Sequence, residues 1–347
     1  MKKKILLTIL CLILVAVVGA CGTKSVKPAE NTADSNQEKP IPEEESTIIK
    51  IGVLQLLSHP ALDEIYRGLT EELARSGYTE DGKNGKKIEL DLQNAQGDQS
   101  NLIAMAEKMV EEKNNILVGI TTPATLSLAK ATKEIPIVMA GITYPVEVGL
   151  IKDEKQPDTN VTGVSDRTPI KRQLEIMKEI LPDLKKMGVL YTSGEDNSAK
   201  QIEDVKAAAA ELGIDLKITS VAGTNDVQQA AESVAAQVQA IFVPIDNTIA
   251  STMPTVVKAA DEYHIGVFPS ADTMVADGGV LGLGVDQYML GVKAAQTVIA
   301  VLDGADPAKT PIVLAHDGIV YLNEKKAEEL GIVIPETIRK EAKIVGK

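Results

Sequence analysis

One α/β unit occurs twice in this chain, and this repeat restricts the possible folds more than any other feature of the sequence. The segment Gly52-Val53-Leu54 reappears as Gly188-Val189-Leu190, and the strand-like segment 116–118 has a counterpart at 241–243. Gly77 and Gly213, which each follow a helical pattern, correspond at the same offset. Two copies are too few for a solenoid, so the sequence predicts two similar lobes that face each other across a cleft.

Short β-branched segments alternate with helical patterns inside each copy. In the first copy, strands are predicted at 49–54, 87–92, 115–120 and 136–140, and helices at 60–76, 100–112 and 123–131. The first helix shows the 3.6-residue period, with Leu62, Ile65, Leu69 and Leu73 on one face. Alternating strands and helices predict a doubly wound parallel sheet in each lobe, and therefore an α/β fold.

The amino terminus has the pattern of a bacterial export signal. Three lysines precede an apolar stretch at 5–18, which is followed by Gly19-Ala20-Cys21. A membrane span needs about 20 apolar residues, so a retained transmembrane anchor is the less favoured alternative. The pattern resembles a lipoprotein signal, which implies that residues 1–20 are removed and that Cys21 carries a diacylglyceryl group. The protein would then be anchored by lipid at the extracellular face of the cell membrane.

The segment that follows Cys21 predicts a tether. Residues 21–47 are rich in Lys, Glu, Asn, Ser and Pro and contain almost no large apolar side chain, which is typical of a disordered linker. Cys11 lies in the predicted signal, so the mature chain would have no disulfide. Its 33 basic and 49 acidic side chains give a formal charge of −16, against −13 for the whole chain. Such a surface disfavours nucleic-acid binding.

Enzyme motifs are missing from the sequence. The three histidines, His59, His264 and His316, lack the spacing of a zinc site, and neither G-x-S-x-G nor H-E-x-x-H occurs. The sequence also has no Walker A motif, and the stretch 282–284 lacks the third glycine of a dinucleotide-binding turn. We therefore expect a protein that is not an enzyme and that holds no cofactor and no metal.

Several short segments together resemble a known family. They are Leu54-Gln55 with His59-Pro60-Ala61-Leu62-Asp63, Asn94-Ala95-Gln96-Gly97-Asp98, Thr122-Pro123-Ala124, Asn160-Val161-Thr162-Gly163-Val164-Ser165, Val243-Pro244-Ile245-Asp246-Asn247-Thr248 and Gly284-Val285-Asp286. The chain is similar to the lipoproteins that bind substrates for ABC importers, in the branch that binds tryptophan and tyrosine. Residues 269–273 depart from the pattern of that branch.

This resemblance implies a type I periplasmic-binding-protein fold, with the chain crossing between the lobes near Val164, Asp286 and Asp317. The first lobe would comprise 48–164 and 287–317, and the second lobe 165–286 and 318–347. The resemblance also implies a monomer that captures an amino acid, preferably an aromatic one such as tyrosine or tryptophan, for a membrane permease.

The residue pattern places a ligand site where strands end and helices begin, since ligands of open parallel sheets bind there. The candidate ligand-binding residues are Gln55, Ser58, Thr122, Ala124, Thr143, Tyr144, Asn197, Ser198, Asp246, Asn247 and Asp272. Thr122 and the amides around Ala124, with Asn197 and Ser198, are expected to hold a carboxylate. Asp246 is expected to bind an ammonium group or to cap a helix, with Asp272 as the next candidate for the ammonium.

Two alternatives stay open. The ligand could be a branched-chain amino acid or a sugar, although the chain has no Trp and two Phe, and sugar sites commonly stack their ligand on aromatic rings. The protein could also be a surface adhesin, which the tether would present to other cells.

Overall fold

The computed structural model describes residues 48–83, 85–315 and 318–346. The predicted signal, the lipidated Cys21 and the tether at 21–47 therefore lie outside the described residues. The predicted crossing at Asp317 lies outside them as well.

The first lobe is built on a seven-stranded sheet with the strand order β12-β6-β5-β4-β1-β3-β2. These strands are β1 (Ile49–Gln55), β2 (Tyr78–Thr79), β3 (Lys86–Asn94), β4 (Ile116–Ile120), β5 (Ile137–Ala140), β6 (Val161–Ser165) and β12 (Val313–Leu314). All neighbours in this sheet are parallel.

The second lobe contains two smaller sheets, with the orders β10-β9-β7-β8 and β11-β13-β14. Their strands are β7 (Lys186–Thr192), β8 (Asp215–Val221), β9 (Ala240–Val243), β10 (Gly266–Pro269), β11 (Leu281–Gly284), β13 (Ile319–Leu322) and β14 (Lys343–Ile344). The four-stranded sheet is parallel throughout, whereas β11 and β13 run antiparallel.

Helices cover both faces of the two main sheets. They are α1 (Pro60–Arg75), α2 (Gln99–Glu111), α3 (Thr122–Ala131), α4 (Ile170–Ile180), α5 (Asp196–Leu212), α6 (Val227–Ala235), α7 (Asn247–Ala250), α8 (Met253–Asp261), α9 (Asp272–Ala276), α10 (Gln287–Leu302), α11 (Glu324–Glu329) and α12 (Glu336–Glu341). Two apolar clusters pack on each main sheet, one on either face. The predicted α/β fold with two similar parallel-sheet lobes is confirmed.

The internal repeat corresponds to a repeated strand order. The order β3-β1-β4-β5 of the first lobe has its counterpart in β8-β7-β9-β10 of the second. The repeated glycines occupy equivalent central strands: a Cβ on Gly52 would lie 2.9 Å from Leu117, and a Cβ on Gly188 would lie 2.8 Å from Val234. Close packing against these strands therefore explains why both copies have glycine at this position.

Helix α10 follows the second lobe in sequence but packs on α1 of the first. Two glycines allow the backbones to touch, because a Cβ on Gly68 would lie 2.1 Å from the Tyr288 carbonyl and one on Gly291 would lie 2.0 Å from the Ile65 carbonyl. The chain thus returns to the first lobe through Val285 and Asp286, after leaving it at the end of β6. The exact limits of the lobes stay a prediction.

Within the described part of the chain, none of the helices is both long enough and apolar enough to span a membrane.

Candidate functional site

A pocket lies between the two lobes, at the carboxyl ends of the strands of both main sheets. Its walls are formed by His59, Ala61, Leu62, Ile65, Thr121, Thr122, Gly141, Thr143, Asp166, Asn197, Ile245, Asp246, Asn247, Ala250, Ala271, Met274 and Gln287. Both lobes contribute polar and apolar side chains, so a molecule bound here would contact both at once. This position agrees with the sequence-based expectation for parallel sheets.

The start of α3 forms the polar wall of the first lobe. Thr121 precedes the helix with φ 89° and ψ 157°, a region that side-chain-bearing residues rarely occupy and that costs of order 1–3 kcal/mol. Its hydroxyl is buried without a hydrogen-bond partner among the described residues. The first-turn amides of Thr122 and Ala124 have no acceptor within the helix, since they precede its first full turn. These groups together suit a carboxylate.

Asp166 places a carboxylate in the pocket where the chain leaves β6. Only 6% of this residue is exposed, and its Oδ1 has no hydrogen-bond partner among the described residues. Burial raises the pKa of Asp166 to about 6, although a hydrogen bond from Thr143 acts in the opposite direction. A Cβ on Gly141, which has φ +75°, would come within 3.6 Å of Asp166 Oδ2. The positive φ favours glycine at 141, and this glycine borders the Asp166 carboxylate.

Two buried acids organise the polar wall of the second lobe. The Asp246 carboxylate accepts hydrogen bonds from the amide of Thr192 at 2.6 Å, from the Thr192 hydroxyl at 2.9 Å and from the amide of Ile249 at 2.8 Å. Its side chain therefore caps α7, which is the capping role that the sequence had left as the alternative. Burial and the charge of Glu195 raise the pKa of Asp246.

Glu195 fixes the loop that carries Asn247. Its two carboxylate oxygens accept hydrogen bonds from the amide and side chain of Asn247, at 3.1 and 2.6 Å, and from the amide and hydroxyl of Thr248, both at 2.8 Å. Asn247 then meets His59 of the first lobe, with 3.4 Å between Asn247 Oδ1 and His59 Nε2. A hydrogen bond thus joins the two lobes at the pocket.

Asn197 exposes an acceptor rather than a donor to the pocket. Its Nδ2 donates to the carbonyl of Ile245 at 2.9 Å, whereas its Oδ1 is buried without a partner among the described residues. An amide oxygen in this position suits an N–H or O–H group of a ligand rather than a carboxylate.

Five of the residues predicted from the sequence line the pocket, namely Thr122, Thr143, Asn197, Asp246 and Asn247. The other six are not among the lining residues, namely Gln55, Ser58, Ala124, Tyr144, Ser198 and Asp272, although the backbone amide of Ala124 belongs to the α3 start described above. Gln55 and Ser58 both donate hydrogen bonds to Asp63. Ser198 donates to the carbonyl of Ile245 at 3.2 Å, and Asp272 begins α9.

Tyr144 lies in a separate groove between the lobes. Its hydroxyl donates a hydrogen bond to the carboxylate of Asp204 on α5. The groove is also lined by Arg167 and Lys171. Tyr144 therefore connects the lobes outside the pocket. Its position after a strand did not show whether its side chain would enter the pocket or this groove.

Thr121, Glu195 and His59 lie in strand-end loops, where the sequence places the ligand site, but none of them was among the candidate ligand-binding residues. Asp166 and Gln287 were not singled out. Asp166 follows Val161–Ser165, which belongs to one of the family-like segments, and this was the one available signal. Sequence patterns do not reveal the unusual backbone geometry of Thr121 or the packing of α10 that brings Gln287 to the pocket.

Apart from Gln287, the rest of the pocket wall is apolar. Leu62 and Ile65 of α1 face Ile245, Ala250 and Met274 of the second lobe, and none of the described lining residues is Phe, Tyr or Trp. Among the described residues, no group of three or more His, Cys, Asp or Glu side chains is placed to hold a metal ion.

Comparison with known proteins adds the following. The family described as ABC transporter substrate binding protein matches residues 50–345. A tyrosine-binding protein of Clostridioides difficile is 33% identical over 322 residues, which is 93% of this chain and 92% of the relative.

Two solved structures are similar over 86% of this chain. An ABC domain from Streptococcus pneumonia in complex with L-Trp is 44% identical with a TM-score of 0.83, and all of it is covered. The ligand-free, open structure of a substrate-binding protein with adhesive properties from Clostridium difficile is 32% identical with a TM-score of 0.65, with 99% covered. A leucine-binding protein of Thermotoga maritima shares the fold at 16% identity, with a TM-score of 0.59 over 81% of this chain and 87% of that one.

Proposed function

Because this chain belongs to the family of ABC transporter substrate-binding proteins, we propose that it captures an aromatic α-amino acid between its lobes and delivers it to a membrane importer. Its membership confirms the resemblance drawn from the sequence, and its relatives are substrate-binding proteins rather than enzymes. The single observation that carries the proposal is the pocket between the lobes, which offers separate sites for an anion, a cation and an apolar group.

The carboxylate of the amino acid would bind at the start of α3. The positive end of this helix and the amides of its first turn favour an anion. The Thr121 hydroxyl, which is buried without a partner among the described residues, would complete the site as a hydrogen-bond donor. The strained backbone of Thr121 supports a binding role, since such strain clusters at ligand sites.

The ammonium group would bind Asp166. A buried carboxylate with one free oxygen is costly unless a cation approaches it. Among the described residues, Asp166 has the one pocket carboxylate whose oxygens are not all occupied by protein donors. This assignment replaces Asp246, whose oxygens cap α7 and bind Thr192.

The side chain of the amino acid would fill the aliphatic part of the pocket. Ala250, Ala271 and Met274 belong to this part of the wall, and the thioether of Met274 makes favourable contacts with aromatic groups. The relatives also favour this ligand class, because one is a tyrosine-binding protein and another was solved with L-Trp. Among the described residues that line the pocket there is no Phe, Tyr or Trp, which disfavours a sugar.

The test is a thermal-shift screen of the purified full-length protein against the twenty amino acids, common sugars and nucleosides. We expect an aromatic amino acid to raise the melting temperature most, since a ligand at 100 times its dissociation constant adds about 2.7 kcal/mol. A screen in which only sugars or nucleosides stabilise the protein would refute the proposal.

Adhesion is a second candidate function, favoured by the relative described as having adhesive properties. The two functions can be separated by mutation of the pocket. An adhesin that uses its outer surface would still attach to cells when Asp166 is replaced by asparagine, whereas amino-acid uptake would be lost.

A further inference from the structure

A chain of three polar side chains, Glu195, Asn247 and His59, runs from the second lobe into the wall of the pocket. Glu195 Oε2 accepts a hydrogen bond from Asn247 Nδ2 at 2.6 Å. A carboxylate can only accept, so this contact fixes which end of the Asn247 amide carries the nitrogen. Asn247 Oδ1 must therefore be the atom that faces His59 Nε2, at 3.4 Å.

This orientation determines the tautomer of His59. Because Asn247 Oδ1 can only accept, His59 must carry its proton on Nε2. Burial lowers the pKa of His59 to about 4, although the hydrogen bond with Asn247 and the charge of Asp63 act in the opposite direction. The imidazole is therefore neutral at pH 7, and Nδ1 is left as a bare acceptor.

His59 Nδ1 is itself unpaired. The residue is 7% exposed and lines the pocket, and Nδ1 has no hydrogen-bond partner among residues 48–83, 85–315 and 318–346. A buried acceptor without a partner is costly, so a molecule that offers an N–H or O–H group there gains affinity over one that does not.

We propose that His59 is a specificity-determining residue whose Nδ1 accepts a hydrogen bond from the side chain of the ligand, so that the pocket selects an aromatic amino acid with a ring N–H or phenolic O–H over phenylalanine. This assignment rests on the proposed function. It adds the atom that would recognise the ligand's side chain, His59 Nδ1.

The ammonium group of the ligand is the other possible donor to Nδ1, but the charges favour Asp166 for that group. A cation is matched by a carboxylate, and a neutral nitrogen acceptor is matched by a neutral donor. His59 also directly precedes the turn of α1 that supplies Ala61 and Leu62 to the aliphatic wall. His59 therefore adjoins the apolar part of the wall, where the ring of the ligand would lie.

The experiment uses two pairs of ligands that differ by one donor. L-Tyrosine is compared with L-phenylalanine, and L-tryptophan with L-3-benzothienylalanine, in which sulfur replaces the indole N–H. Calorimetry on the full-length protein should show that loss of the donor weakens binding about 10- to 100-fold in each pair whose donor-bearing member binds, the effect of one buried unpaired acceptor.

Two substitutions separate the roles of the ring nitrogens. His59→Gln places an amide near Nε2, which preserves the contact with Asn247 but removes the Nδ1 acceptor. His59→Asn places an amide oxygen near Nδ1 and loses the contact with Asn247. We expect H59Q to bind both members of a pair with similar affinity and H59N to keep most of the difference.

Three other outcomes would contradict either the role of His59 or the proposed function. If the unmodified protein binds phenylalanine as tightly as tyrosine, and benzothienylalanine as tightly as tryptophan, the assignment of His59 is wrong while the proposed function stands. A uniform loss for all four ligands in H59Q would give His59 the ammonium or a purely structural role and would also overturn the assignment. If the unmodified protein binds none of the four, the proposed function itself is wrong.

Discussion

The carboxylate of Asp166 should lower the stability of the free protein while it strengthens binding, and Asp166→Asn separates these effects. Burial raises the pKa of this carboxyl from 3.8 to about 6. Between pH 4 and pH 6 the folded protein therefore keeps a proton that the unfolded chain has released, so stability falls as the pH rises through this range. At 1.36 kcal/mol per pKa unit, the full penalty above pH 6 is about 3 kcal/mol.

Asparagine has the same shape without the charge, so D166N should be more stable than the unmodified protein at pH 7 in the absence of ligand, by up to about 3 kcal/mol. The difference should disappear below about pH 4, where the carboxyl is protonated in both the folded and the unfolded state. Urea unfolding at several pH values measures this difference. If D166N and the unmodified protein were equally stable at pH 7, burial of the ionised Asp166 carboxylate would not destabilise the fold.

Binding should change in the opposite direction. Removal of one partner of a buried ion pair costs about 3–5 kcal/mol, which corresponds to at least a 100-fold loss of affinity for the amino acid. Since the carboxyl must be ionised, the affinity of the unmodified protein should also fall about tenfold between pH 7 and pH 5, whereas D166N should lack this dependence. Calorimetry at both pH values tests both statements.

Asp272→Asn is the matched control. Burial also raises the pKa of Asp272 to about 6, but this residue does not line the pocket. We expect D272N to be stabilised at pH 7 with unchanged affinity. If D166N bound the amino acid as tightly as D272N does, the ammonium would not bind Asp166.

Three further predictions concern the carboxylate site, closure and the anchor. Thr122→Ala should weaken binding of the amino acid by about 1–3 kcal/mol in calorimetry and leave the melting temperature of the free protein nearly unchanged; an unaltered affinity would show that Thr122 does not contact the ligand. Saturating amino acid should reduce the radius of gyration in small-angle scattering, because it favours the closed lobes that the His59–Asn247 contact joins, and an unchanged radius would contradict a hinge. Cys21→Ala should abolish partitioning into detergent, and a variant that still partitions fully would refute the lipid anchor.

Most of the secondary structure could be predicted, because it depends on local patterns. The helix predicted at 60–76 is observed at Pro60–Arg75, and the strand predicted at 115–120 at Ile116–Ile120. The helix-ending role of Gly213 was equally visible, since a left-handed C-cap favours glycine and this residue has φ 66°. The repeat then predicted two lobes, and the strand ends predicted the side of each sheet on which the pocket lies.

The individual site residues were less predictable, because a strand-end loop presents only some of its side chains to the pocket. Ser58 and Thr122 look alike in sequence, yet Ser58 binds Asp63 and Thr122 lines the pocket. Asp246 and Asp166 both follow buried strands. Only the structure shows that the carboxylate oxygens of Asp246 already accept hydrogen bonds from Thr192 and Ile249. Hydrogen-bond partners that are distant in the sequence therefore decide which carboxylate is available to a ligand.

The sequence by itself determined the class of fold, the duplication of the lobes and the family, because hydrophobic periodicity, repeated glycines and short segments are local properties of the chain. Only the tertiary structure decided which atoms of the pocket are free to bind a ligand. The tautomer of His59 depends on Asn247, which is 188 positions away, and the orientation of Asn247 depends on Glu195. These groups are brought together only by folding. A buried donor or acceptor that already has a partner in the protein is no longer available to bind a ligand.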